Sequence, residues 1–241
     1  MYLRELHNSI VDIAVIFHDT LNPTLWDDTE MNPQVRFKLL KIAQDFIKFI
    51  DVPNINLKDI TISGSNAAFT YTKNSDLDLH LVVNIPDKDR EYVIQLFDAK
   101  KNQYNFDHNI KIKGIDVEVY IQNSAEPHYS AGIFSILDNK WISEPKQLKV
   151  NIDDEDVRDK YENYKSKIEM ALESTNINIV KIVKDRLKSL RRTGLEREGE
   201  TGIENITYKV LRNKGYIEKL YKHIRNIEDK QLGMENINAS R

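Results

Sequence analysis

The chain has 241 residues, 40% apolar and 30% charged, with a formal net charge of −3; this leaves room for one large or two small domains around a real core and excludes a disordered composition. It contains no cysteine, which excludes disulfides, cysteine-zinc sites and thiol chemistry and suits a reducing, cytoplasmic location. No apolar run reaches the roughly 18 residues of a bilayer span. The N-terminal apolar stretch, interrupted by His7, Asp12 and His18, lacks the basic start and small-residue cleavage site of a signal peptide, so no membrane partner is expected.

In chain order, Asn32-Pro33 opens a helix through Ile50, with Asn as N-cap and Pro at the first helical position. Val35, Leu39, Ile42, Phe46 and Ile50 recur along it at helical spacing, and Pro53 follows as a stop. "DITIS" (59–63) predicts a short strand, Gly64-Ser65 a turn, and "NAAFTY" (66–71) a short helical segment. "DLDLHLVVNI" (76–85) alternates as a strand with one buried face, and Pro86 stops it. A helix is expected over 87–104. "NIKIKGIDVEVYIQ" (109–122) predicts either a tight hairpin about Lys113-Gly114 or one strand bent at the glycine. "GIFSILDNKWI" (132–142) predicts a further strand or hairpin.

After Pro145 the pattern becomes helical. Helices are expected over 154–174 and 178–192, then a polar loop "GLEREGETG" (194–202), then helix over 203–229 with a break at Gly215. "GMENINASR" (233–241) predicts a frayed tail. The expected fold class is therefore α+β: a small mixed β-sheet core with helices over residues 1–150, including an N-terminal helical extension, then an all-helical C-terminal domain over 151–241.

The chemistry sits in "SGSNAAFTYTKNSDLDLHLVV" (63–83). Alternation turns Leu77, Leu79 and Leu81 one way and Asp76, Asp78 and His80 the other. Residues two apart on a strand are separated by roughly 6.6 Å, so both carboxylates can converge on one cation or bridge two. Without a cation they repel, and all-oxygen ligation favours Mg²⁺ or Mn²⁺ over zinc. "GIDVEVYIQ" puts Asp116 and Glu118 on one face of a second strand. If the strands are neighbours, three or four carboxylates cluster, and one can accept a proton from an attacking hydroxyl. Gly64-Ser65 forms a turn, leading into the segment from Asn66, whose glycine admits a phosphate close to the backbone. Residues 181–225 carry thirteen Lys or Arg against six Asp or Glu, either a local anion site or a set of solvated helix faces.

Gly64-Ser65, a ten-residue spacer, then Asp76-Leu-Asp78 on a strand, with a later acidic strand, resembles the signature of the DNA polymerase β-type nucleotidyltransferase superfamily. Within it the chain is similar to a group of phage- and bacteria-encoded predicted nucleotidyltransferases, through "LNPTLW" (21–26), "VEVYIQ" (117–122) and "GLEREGE…ENITYKVLRNKGYIEKL". The resemblance implies a nucleotidyltransferase catalytic domain with an appended helical domain. It implies transfer of a nucleoside monophosphate from an NTP to an acceptor hydroxyl, with release of pyrophosphate. Asp76 and Asp78 are then catalytic metal ligands, with Glu118 as the third carboxylate and Asp116 as the next choice. Gly64, Ser65, Asn66, Lys209 and Arg212 are the expected nucleotide contacts. The acceptor is open among an RNA or tRNA end, a second nucleotide, a protein side chain and a small molecule. The alternative is a catalytically silent, nucleotide- or partner-binding regulatory module, antitoxin-like and of the same fold. His80 is expected to play a supporting or structural part, Tyr208 to be core, and Trp26 and Trp141 to be packing anchors.

Overall fold

The computed structural model describes residues 9–52, 55–85, 88, 90–128, 130–147 and 152–233. The chain is α+β and forms two compact units: Ile16–Lys149, and Met1–Val15 together with Val150–Arg241.

The first unit is built on a mixed sheet. β1 (Trp26–Asp27) and β2 (Glu30–Met31) form a small antiparallel pair ahead of α1 (Pro33–Ile50). The Asn32 side chain caps α1 by accepting the Gln34 and Val35 amides, and the helix stops at Asp51 in a left-handed conformation; Pro53, the expected stop, lies outside the described residues. β3 (Leu57–Ser63), β4 (Leu77–Val83), α2 (Arg90–Asp107), β5 (Lys111–Ile112), β6 (Ile115–Asn123), β7 (Ile133–Ser135) and β8 (Lys140–Ser143) follow. The sheet order is β5-β6-β4-β3-β7-β8. Among the described residues only β4 and β6 run parallel, as expected of strands joined through a helix, here α2.

The alternation of "LDLHLVV" is realised as expected: Leu77, Leu79, Leu81 and Val83 are buried while Asp78, His80 and Val82 are half-buried. The leucine face shares one core with Val35, Leu39, Ala43, Phe46 and Ile50 of α1 and with Val117 and Val119 of β6. Of the two readings of 109–122 the hairpin holds, with Lys113 (φ 48°) and Gly114 (φ 86°) at its tip, as a two-residue turn between twisted strands requires. The 132–142 stretch is likewise a hairpin, β7–β8. Beyond the reach of short β5, Asn105 of α2 donates to the Val119 carbonyl and accepts the Val119 amide, both at 3.0 Å. Trp26 and Trp141 do act as anchors: they stack at 4.7 Å, and the indole N–H of Trp141 donates to the Thr29 carbonyl.

The expected short helix over 66–71 is only a 3-10 turn, Ser65–Ala67.

The second unit holds α3 (Asp154–Glu173), α4 (Ile177–Glu198), α5 (Ile203–Asn213) and α6 (Tyr216–Leu232). Asp153 and Asn176 cap α3 and α4 with their side chains, and Gly215, at φ 79°, breaks α5 from α6 where expected. The expected loop 194–202 is mostly helix: α4 runs through to Glu198 and only the Gly199–Thr201 turn intervenes. A Cβ on Gly194 would lie 2.7 Å from the Asn205 amide, so this glycine serves a close helix crossing rather than a chain break. The core joins Val157, Tyr161, Ile168, Val180, Leu187, Ile206, Val210 and Leu220, and takes in Ile10, Val11 and Val15 from the N-terminal segment. The expected frayed tail lies, from residue 234 onward, outside the described residues. Among the described residues no helix is long and apolar enough to cross a membrane.

Candidate active site

The parallel pairing of β4 with β6 sets Asp78 directly opposite Glu118, and His80 opposite Tyr120. Asp76 sits one residue ahead of β4. One ligand oxygen from each of Asp76, Asp78 and Glu118 lies within 4.8 Å of the others. The expected convergence therefore occurs, on the sheet face opposite the leucines. Three carboxylates this close repel one another in water, and their oxygens form a group that could hold a metal ion.

Asp116, the other candidate, is not in this cluster. The β5–β6 register places it across from Lys111, and the two form an exposed ion pair at 2.6 Å.

Gly64 follows β3 with φ 75° and ψ −165°, a conformation open essentially to glycine alone. It also touches the cluster: a Cβ there would come within 2.3 Å of Asp78 Oδ2. Its amide donates to Ser130 Oγ at 3.0 Å, and Ser130 in turn donates to the Gly132 carbonyl at 2.9 Å. The turn amide expected to face a phosphate is thus engaged within the protein at this position. Ser65 opens the 3-10 turn that follows.

Asn66 departs from the expected nucleotide contact. It is fully buried, and its side-chain amide donates to the carbonyls of Asp76 at 2.8 Å and Ser75 at 3.1 Å. Its side-chain oxygen accepts from Asn22 Nδ2 at 2.8 Å, and its main-chain carbonyl accepts from the Trp26 indole at 2.8 Å. Asn66 is therefore a bolt that holds the backbone of Asp76, and "LNPTLW" supplies the two residues that hold the bolt. Sequence reasoning missed this role for Asn22; the only available signal was a buried-type turn flanked by Asn and Trp.

A polar row adjoins the carboxylates. The Tyr120 hydroxyl donates to Glu118 Oε2. The Tyr120 ring stacks on His80, with centroids 5.1 Å apart and planes 20° from parallel. His80 Nε2 shares a hydrogen bond with Ser63 Oγ at 3.2 Å, and its ring lies 4.9 Å from that of His128, whose Nδ1 is 2.7 Å from Gln122 Oε1. Burial, reinforced by His128, brings His80 down to about 3, so it is neutral at physiological pH. Burial, with the charge of Asp78 and the bond to Glu118, pushes the Tyr120 hydroxyl well above the usual tyrosine range; it stays a donor. His80 is thus packed in the row beside the carboxylates, and Tyr120 is a neighbour of the cluster that the sequence did not single out.

Lys209 and Arg212 stand on α5 of the helical unit. Lys209 Nζ lies 4.0 Å from Glu200 Oε2, and Arg212 is exposed. Tyr208 packs against the helical core, with the Arg191 guanidinium 5.3 Å above its ring.

No protein-family model matches the chain and no curated protein matches its sequence. Among solved structures it is similar to the STING-associated CdnE c-di-GMP synthase of Capnocytophaga granulosa, at 14% identity over 93% of this chain and 89% of that one, with a TM-score of 0.23. It is similar to the CdnE cyclic dinucleotide synthase of Elizabethkingia meningoseptica at 15% identity over 84% and 86%, with a TM-score of 0.25. It is similar to a spectinomycin adenyltransferase of Enterococcus faecialis at 13% identity over 80% and 99%, with a TM-score of 0.21. At such identities and scores the chemistry has to be argued from the site itself.

Proposed function

We propose that this protein is a metal-dependent nucleotidyltransferase that moves a nucleoside monophosphate from an NTP to an acceptor hydroxyl. The supporting observation is the β4–β6 register: it sets Asp78 against Glu118 and, with Asp76, gathers three carboxylate oxygens within 4.8 Å. The all-oxygen donor set fits Mg²⁺ or Mn²⁺. When bound, such a cation neutralises triphosphate charge and aligns the reacting oxygens.

The chain's own residues do the rest. Asp76, Asp78 and Glu118 would hold the cation, and one carboxylate of the cluster takes the acceptor's proton. Gly64 keeps the approach to Asp78 free of a side chain, and the Ser65 hydroxyl serves as a triphosphate contact. In the reaction the acceptor oxygen bonds to the α-phosphorus, the bond from that phosphorus to the bridging oxygen breaks, and pyrophosphate leaves with the electron pair. The acceptor belongs to the class of free hydroxyls on an RNA end, a nucleotide, a protein or a small molecule.

The test is incubation with each of the four labelled triphosphates, Mg²⁺ or Mn²⁺, and cell RNA and protein. Pyrophosphate release and product mass are read, with Asp78→Asn as control. Transfer by the unaltered chain and none by the variant is the expected result. No pyrophosphate with any acceptor, and no thermal shift from NTP with metal, would leave a catalytically silent partner-binding module instead.

A further inference from the structure

We infer that Tyr120 is a positioning residue that makes Glu118 a one-oxygen ligand and so biases the carboxylate cluster toward Mg²⁺ over larger cations. The inference rests on the metal-binding reading above and deepens it.

A glutamate can ligate through one oxygen or two. The two-oxygen mode suits Ca²⁺, with its six to eight loose ligands; Mg²⁺ requires a tight octahedron and takes carboxylates one oxygen at a time. Here the choice is biased before any ion arrives. The Tyr120 hydroxyl donates to Glu118 Oε2, so it competes with a cation for that oxygen and leaves Oε1 the less encumbered of the two.

Tyr120 is in turn held in place. Its ring stacks on His80 at 5.1 Å, and His80 is tied to Ser63 Oγ on the next strand at 3.2 Å. Lys101 of α2 covers the ring with its ammonium 5.6 Å from the centroid. The path Ser63–His80–Tyr120–Glu118 therefore crosses β3, β4 and β6, and orients one carboxylate through side chains that are not themselves in the carboxylate cluster. Partners of this kind, one step behind a ligand, typically change metal affinity by about 10–100-fold when removed.

Tyr120→Phe keeps the ring and its stacking and deletes only the donor. The probes are the metals alone, without nucleotide: Mn²⁺ binding is followed by the loss of its free electron-spin signal, and Mg²⁺ and Ca²⁺ are titrated as competitors. The expected result is a roughly tenfold loss of Mg²⁺ affinity with Ca²⁺ unchanged or tighter. The melting curve should stay that of the unaltered chain. In a Glu118→Ala background, Tyr120→Phe should leave the Mg²⁺ to Ca²⁺ ratio unchanged. Equal losses for both competitors, no loss at all, or a ratio that still shifts without Glu118 would each overturn the inference while leaving the metal site standing. Absence of Mn²⁺ binding by the unaltered chain would instead bring down the metal-site reading itself, and this inference with it.

Discussion

The carboxylate of Asp78 fills the space that a side chain on Gly64 would need: a Cβ built there meets Asp78 Oδ2 at 2.3 Å. The glycine is therefore set by two independent demands, a backbone at φ 75° and the close passage of the Asp78 carboxylate. Gly64→Ala should cost about 1–3 kcal/mol of stability through backbone strain and displace Asp78. Pyrophosphate release should drop at least about 100-fold, checked by turnover assay beside a thermal melt. A variant with ordinary turnover would show that Asp78 is free to move.

Asp78→Asn, Asp76→Asn and Glu118→Gln should each abolish turnover. None should lower the melting temperature in metal-free buffer. Carboxylates within 4.8 Å of one another repel by about 1–3 kcal/mol per pair at intermediate dielectric, so neutralising one relieves the folded state. For the unaltered protein, chelation by EDTA should lower the melting temperature and addition of Mg²⁺ or Mn²⁺ should raise it. The variants should lose most of that response. Calorimetry with and without EDTA reads both effects.

Asn66→Ala should separate support from chemistry. It removes the bonds to the Ser75 and Asp76 carbonyls and leaves the buried Asn22 side chain without its acceptor. The expected cost is about 2–4 kcal/mol, read by denaturant melts, together with weaker metal stabilisation as Asp76 loosens. A mild melt with strongly impaired triphosphate binding would instead restore Asn66 as a nucleotide contact.

The helical unit should soften in acid by a separate route. The hydrogen bond from Lys160 holds Glu204 below its ordinary value of 4.5. A depressed carboxylate contributes stability above its unfolded value and loses it as pH falls through the folded one, so the effect sets in below about pH 4.5. The pair is 39% and 21% exposed, so it is worth less than about 1 kcal/mol. Lys160→Met should flatten the acid limb of a melting-temperature profile between pH 6 and 3 by that small amount; an unchanged profile would show the pair to be silent.

Local physics made much of this legible in the sequence, and the failures have local causes too. The leucine alternation of β4 identified both the core face and the site face, because period two is a property of the strand alone. It could not separate Asp116 from Glu118, which share a face by the same period; only the register of β6 against β4 and β5 assigns one to the cluster and the other to Lys111. Asn66 looked like a ligand contact because a polar residue in a turn is the same letter whether it faces solvent or a buried carbonyl. Gly194 looked like a helix end because a glycine demanded by a neighbouring helix cannot be told from one that breaks its own.

Asn105 offers Val119 both a donor and an acceptor, as a further strand would. This amide stands in for a neighbouring strand, so at Val119 the edge of β6 is not an open template for another molecule's main chain. Replacing it with leucine would expose that template beside Glu118, and the first symptom would be self-association of otherwise folded molecules rather than unfolding.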